Sequence, residues 1–252
     1  MKYTMNMKNW MGKSIVTACS VAISFGATPQ HTIDATQLVA DLNSNSANVN
    51  VYDGDGTLTD HIDWTGSPRT AVSVCGTFIT MLMKHTYGFT NAQYTAKTGS
   101  SSPNAAKYYD AIAASSGFTH LLGIDQMTQG DLIAIKYPAG QQSSGHMMLV
   151  NAVSTFQSRL LSNQSFLANN GEPLIAGYFD ITVIDSSASY HGKSDTRYSK
   201  PGGIGSNGIF RIYVDSAYQI TGYTWSNEKT SAYKKVAAGY LVGLGRLQTG
   251  TW

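Results

Sequence analysis

The stretch Val74-Cys75-Gly76-Thr77-Phe78-Ile79-Thr80-Met81-Leu82-Met83 lies near the middle of the first half of this 252-residue chain, and its pattern governs how the rest is read. From Thr70 to about Tyr87 the apolar residues Val74, Phe78, Ile79, Leu82 and Met83 recur at helical spacing, which predicts an amphipathic helix. Cys75 lies three, four and seven residues before Phe78, Ile79 and Leu82. It therefore belongs to the early turns of that helix, on or beside the buried face. Upstream, Ile33 to Leu42 reads as a short helix, the run 43–50 is polar, and Asp53 to Pro68 is rich in turn residues. Downstream, Ser102 as cap and Pro103 as first residue start another helix that runs to about Ala114.

Beyond that point the period changes. Asp131–Tyr137, His146–Val153, Tyr178–Asp185, Ile209–Val214 and Gln219–Trp225 are short β-branched or aromatic runs separated by Gly, Ser and Asn, the signature of strands. Helices in the first half and strands in the second, joined by short connections, predict an α+β domain with its helices on one side of an antiparallel sheet. A hydrophobic content of 42% is enough for one full core, and no stretch reads as a linker, so 28–252 is expected to be a single domain.

Charged residues make up only 13%, against roughly 25% in an average soluble protein. The N-terminus carries Lys2, Lys8 and Lys13 without an acid, followed by an apolar run from Ile15 to Ala27. That layout predicts a signal peptide over 1–27 and a secreted or periplasmic protein. The run is shorter than the about 20 residues needed to span a bilayer, and no later segment is long and apolar enough either. Loss of the three lysines would turn the formal charge of +2 negative, so no nucleic-acid partner is expected. Cys19 sits in a lipoprotein-like box, Val16-Thr17-Ala18-Cys19, but too close to Lys13 for the apolar region such signals need. Removal of the leader would take Cys19 with it and leave Cys75 as the one thiol.

A thiol becomes a nucleophile when its pKa is lowered, which a helix N-terminus and a neighbouring imidazole accomplish together. Of six histidines, His146 stands out because it follows Ser143-Ser144-Gly145 and opens an apolar strand. The order of a helix with Cys, a Gly130-Asp131 strand and a Gly145-His146 strand is a specific arrangement. The loop Tyr190-His191-Gly192-Lys193-Ser194-Asp195-Thr196-Arg197 is expected to rim a cleft or to be solvated. Trp64 and Trp225 are expected either to line a groove or, more commonly, to pack.

The segments VCGTFITMLM around Cys75, QGDLIAIKY at 129–137, SSGHMMLVNAV at 143–153 and TVIDSSAS at 182–189 resemble the NlpC family of papain-like cell-wall peptidases and, more distantly, the CHAP amidases. The resemblance spans roughly 70–190. It implies a papain-like core, Cys75 as nucleophile, His146 as general base and Asp185 as the residue that orients the histidine through its Nδ1 proton, with no cofactor. It further implies hydrolysis of amide or peptide bonds through a thioester, with peptide or peptidoglycan as substrate and an upstream tyrosine, Tyr52, as oxyanion donor. Ser144, Ser186 and His191 are the remaining candidate substrate contacts. The family's usual Asp-Cys-Ser is here Val74-Cys75-Gly76, and Ser154 to Gly177 reads as an insertion.

A rival motif lies at Asp53-Gly54-Asp55-Gly56-Thr57-Leu58, which resembles the first motif of haloacid-dehalogenase-type phosphohydrolases, with Asp53 as nucleophile, Asp55 as general acid and Mg²⁺ as cofactor. The later acidic motifs of that family and its βαβ alternation do not follow. A non-catalytic secreted binding module is the third class.

Overall fold

The computed structural model describes residues 27–158 and 175–252. The leader, the lipoprotein-like box at Cys19 and much of the stretch read as an insertion lie outside the described residues. Among the described residues, four α-helices occupy the first half: α1 (Gln30–Ser44), α2 (Cys75–Tyr87), α3 (Asn91–Thr98) and α4 (Ala105–Ala113). Strands β1 (Val49–Tyr52), β2 (His61–Ile62) and β3 (Thr70–Ser73) form a small sheet in the order β1-β3-β2, in which β1 and β3 run parallel. The larger sheet contains β4 (Phe118–Leu121), β5 (Leu132–Lys136), β6 (Gly145–Val153), β7 (Gln157–Ser158), β8 (Gly177–Ser187), β9 (Gly203–Val214), β10 (Ile220–Thr224), β11 (Tyr233–Lys235) and β12 (Leu241–Leu247). Its order is β11-β10-β9-β8-β6-β5-β12-β4, with β7 added on β8, and every described pairing in it is antiparallel. The protein is thus α+β, as its sequence pattern predicts.

Two apolar clusters show which face of the sheet meets what. The first joins Leu38 and Val39 of α1, Phe78, Ile79 and Leu82 of α2 and Tyr108 and Ile112 of α4 to Leu132, Ala134, Met147, Leu149 and Ile184 of the sheet. The second takes the alternate strand residues Ile133, Ile135, Met148, Val150, Phe179, Ile181 and Val183, and contains no residue of α1–α4. Helices therefore cover one face only, and the sheet curls so that its other face packs on itself. The ring of His146 on β6 touches that of Trp225, just past β10, at 4.7 Å, although β8 and β9 lie between those strands.

Several boundaries differ from the expected ones for local reasons. The helix expected from Thr70 begins at Cys75, because Thr70–Ser73 pairs in register with Val49–Tyr52 and cannot be helical at the same time. The next expected helix is capped by Asn104, whose side chain accepts the Lys107 N–H at 3.0 Å, two residues beyond the expected Ser102 cap. Strands β12 and β4 close one edge of the sheet, although their sequences carry little alternation.

Candidate active site

Cys75 is the first residue of α2, and the residue before it, Val74, has no side chain able to cap a helix. The first-turn N–H groups keep their partial positive charge facing outward instead of being bound by a cap. Gly76 follows because its position is crowded: a Cβ there would lie 2.7 Å from the Pro103 carbonyl oxygen. That close approach brings the start of α2 against the start of α4 and requires glycine at this position. Gly145 is likewise required before His146. Its φ is +139°, and a Cβ would fall onto the Ile135 carbonyl.

His146 is the second residue of β6, and its Nε2 meets Asp185 Oδ2 at 2.6 Å. Cys75 acts on the ring electrostatically, and since Nε2 is taken by Asp185, Nδ1 is the nitrogen left for the thiol. Here the structure corrects one detail: Asp185 holds Nε2 and not the expected Nδ1. The ring must reach from β6 toward β8 with its distal nitrogen while its proximal nitrogen faces α2. Cys75, His146 and Asp185 are 7%, 4% and 0% exposed, so water screens these contacts little. Burial disfavours a charged His146 ring, but the charge of nearby Cys75 and the hydrogen bond to Asp185 outweigh it and push its pKa up to about 9.

Asp185 lies two residues before the end of β8, just past a shift in register between Val183 and its own position. Its burial would favour the neutral acid, yet the Arg197 guanidinium, then His191 and the hydrogen bonds from both histidines hold it well below the usual carboxylate range. Arg197 Nη2 donates to Asp185 Oδ1 at 2.6 Å and to Asp195 Oδ2 at 2.7 Å, and Arg197 Nη1 donates to the Gly203 carbonyl at 2.9 Å. In the sequence Asp195 and Arg197 are marked only as members of the polar loop 190–197, expected to rim a cleft or to be solvated. The one signal is an acid and a base two residues apart in a chain of few charges.

Two expected substrate contacts belong elsewhere. His191 is fully buried, not on a cleft rim: its Nδ1 meets the Trp225 carbonyl at 2.6 Å, its Nε2 meets Asp185 Oδ2 at 3.0 Å, and its ring stacks on Trp225 at 4.3 Å. The loop folds inward because its charges pair with one another and with Asp185. Ser186 is also fully buried, and its hydroxyl donates to the Ser73 carbonyl at 2.9 Å, tying β8 to the strand that leads into Cys75. Tyr52 and Ser144, by contrast, line the cleft that contains Cys75. Burial first, then the nearby Cys75 and Asp185, push the Tyr52 phenol up to about 12, so its O–H remains a donor.

The cleft has a volume of about 250 Å³. Its other walls come from Val74, Thr77, the Ser102–Ala105 stretch and Gln142–Gly145, so they present hydroxyl, amide and backbone groups and no charged side chain. His146, Asp185 and His191 also place three ligand-type atoms within 4.8 Å and are the grouping, among the described residues, with the donor set for a metal ion. Their 2.6 and 3.0 Å separations are those of direct hydrogen bonds, shorter than the spacing of ligands gathered around an ion.

The remaining candidates have structural surroundings. Asp53 Oδ1 accepts the Thr57 N–H at 3.1 Å and its Oδ2 the Leu58 N–H at 3.0 Å, while Asp55 accepts the Thr57 hydroxyl at 3.0 Å, so both acids bind their own turn. Asp131 is clamped by Arg246 through two 2.8 Å contacts. His31 joins Tyr87 and the Gly130 carbonyl, and Trp64 stacks on His85 at 4.0 Å.

Fold and site together define an α+β protein in which Cys75 lines an uncharged cleft beside a buried His146–Asp185 pair. No family model matches the chain, and no solved structure matches it. Among curated proteins it is similar to the uncharacterized protein R653 of Acanthamoeba polyphaga mimivirus, 32% identical over 170 residues that make up 65% of this chain and 72% of the viral one. The chain belongs to the family of that viral protein. No described helix is long and apolar enough to cross a membrane.

Proposed function

We propose that this protein is an exported cysteine hydrolase with a papain-like, NlpC-type core, cleaving amide or peptide bonds through a thioester. The observation that supports it most is the grouping of Cys75, His146 and Asp185, in which each side chain comes from a different element, Asp185 holds Nε2 of His146, and the charge of Cys75 acts on the same ring. The His146 ring, charged at neutral pH, faces Cys75 as a thiolate. The sulfur attacks the substrate carbonyl carbon, and the resulting oxyanion is received by the uncapped N–H groups at the start of α2 and by the Tyr52 hydroxyl. His146 passes its Nδ1 proton to the leaving amine, the C–N bond breaks, and a thioester remains. Water, deprotonated by the now neutral His146, attacks the thioester, releases the acid and restores the thiolate–imidazolium pair.

The cleft walls favour uncharged groups on either side of the scissile bond, since a charged one would lose its hydration without gaining a counter-charge. Cell-wall peptides with amidated or small side chains are the substrate class this reading names first. Muropeptides and neutral peptide amides, incubated with the purified protein, should yield new amines. Cys75→Ala and His146→Ala should each abolish that release, and together cost no more than either alone. Absence of amine release combined with a Cys75 alkylation rate indifferent to His146→Ala would refute the hydrolase and leave a binding module.

A further inference from the structure

Behind the catalytic cleft a second histidine shares the carboxylate oxygen that His146 uses. Resting on the reading of Cys75 and His146 as nucleophile and base, we propose that His191 is a positioning residue for His146, a ring with a proton on each nitrogen that fixes Asp185 Oδ2 in place. The protons follow from the partners. The Trp225 carbonyl, 2.6 Å from Nδ1, can only accept, so Nδ1 carries hydrogen. The Asp185 carboxylate, ion-paired to Arg197 at 2.6 Å, can also only accept, so Nε2 carries hydrogen as well.

The ring has no freedom to leave this arrangement. Trp225 stacks on one face, Phe210 meets it edge-on at 6.1 Å, the His191 N–H donates to Asp195 Oδ2 at 2.8 Å, and the His191 carbonyl accepts the Ile209 N–H at 2.8 Å. Asp185 consequently has one oxygen held by Arg197 and the other by two rings. A carboxylate bonded to His146 alone would rotate about its last side-chain bond, and the imidazole would rotate with it. The ionisable groups that face His191 are Asp185 from β8, His146 from β6 at 6.1 Å between ring centres, and Asp195 and Arg197 from its own loop.

Two substitutions separate positioning from packing. His191→Gln can place an amide N–H where Nε2 stands and keep the bond to Asp185; His191→Asn reaches only the Trp225 side. Iodoacetamide alkylation of Cys75 below neutral pH should slow by about tenfold or more in His191→Asn and stay within about threefold of wild type in His191→Gln. Equal rates in wild type and His191→Asn, or equal slowing in both variants, would overturn the proposal. The long-range ¹H–¹⁵N histidine spectrum of the wild-type protein gives a test that needs no variant to fold: His191 should show both nitrogens protonated, and a neutral ring overturns the assignment. If the wild-type alkylation rate is indifferent to His146→Ala, the hydrolase reading fails by itself, and that spectrum still decides the state of His191.

Discussion

The two sides of His146 are built from opposite materials. Toward the cleft stand Tyr52, Gly54, Thr77, Ser102, Asn104 and Ser144, all uncharged and reachable by solvent. Away from it stand Asp185, His191, Asp195 and Arg197, every one 3% exposed or less. The division separates two tasks that a single environment performs badly. A neutral wall lets a substrate enter without competing ion pairs, while a dry, ion-paired interior holds one imidazole in one orientation and one protonation state. The comparison also shows why a chain with so few charges places several of them where water is absent. Isolated, each would be costly to bury; as a closed network they stabilise a geometry.

The sharpest test removes the link between the two sides. Asp185→Asn retains shape but offers His146 an amide, and turnover of whichever amide substrate is found should fall by about ten-thousandfold with little change in KM. A loss of only a few-fold would mean that Cys75 and His146 work as a pair and that the charged interior is structural. Next in size is Arg197→Met, which leaves Asp185 and Asp195 buried without their shared cation. Chemical denaturation should show a loss of about 3–5 kcal/mol. Near-unchanged stability would show that the interior network is an accessory to the fold.

Smaller, and specific to the imidazole, is the dependence on pH. His146 has a folded pKa of about 9 against 6.5 for a free ring, so its contribution to stability is complete below about pH 6.5 and is lost as pH rises through about 9. The size is roughly 3 kcal/mol. Hydrolysis should decline over the same range, because the leaving amine loses its proton donor, whereas Cys75 alkylation should not decline with it. Urea unfolding and initial rates between neutral pH and pH 10 measure both, and a hydrolytic limb that stays flat to about pH 10 would remove His146 from the role of acid.

The sequence carries the cleft side of this comparison far better than the interior. Cys75 is legible because apolar spacing marks its helix, and His146 because Gly145 and a hydrophobic strand flank it. Asp185 is legible as an acid near the end of an apolar strand, although the register shift between Val183 and Asp185 breaks the strict alternation from which its face is read. The segment from Tyr190 to Arg197 looks like surface by composition, and its burial depends on partners from β8 and the end of β10 that no local pattern announces. Ser186 is misread for the same reason, since its partner Ser73 is 113 residues away. β12 is unrecognisable because Gly243 and Gly245 interrupt it; a Cβ at those positions would meet the Tyr109 and Ile112 side chains at 2.9 and 2.7 Å, a packing demand visible only once α4 lies on the sheet.

Cys75 is the one cysteine among the described residues, at the floor of a cleft of about 250 Å³. This has a redox consequence. A small oxidant such as hydrogen peroxide can reach the sulfur and form a sulfenic acid, but no neighbouring thiol is present among those residues to capture it as an internal disulfide. Rescue would depend on a thiol that can be threaded into the cleft, so low-molecular-weight reductants should restore the sulfur while bulky protein thiols should not. Continued peroxide exposure would carry it to the sulfinic acid, where restoration by simple thiols ends.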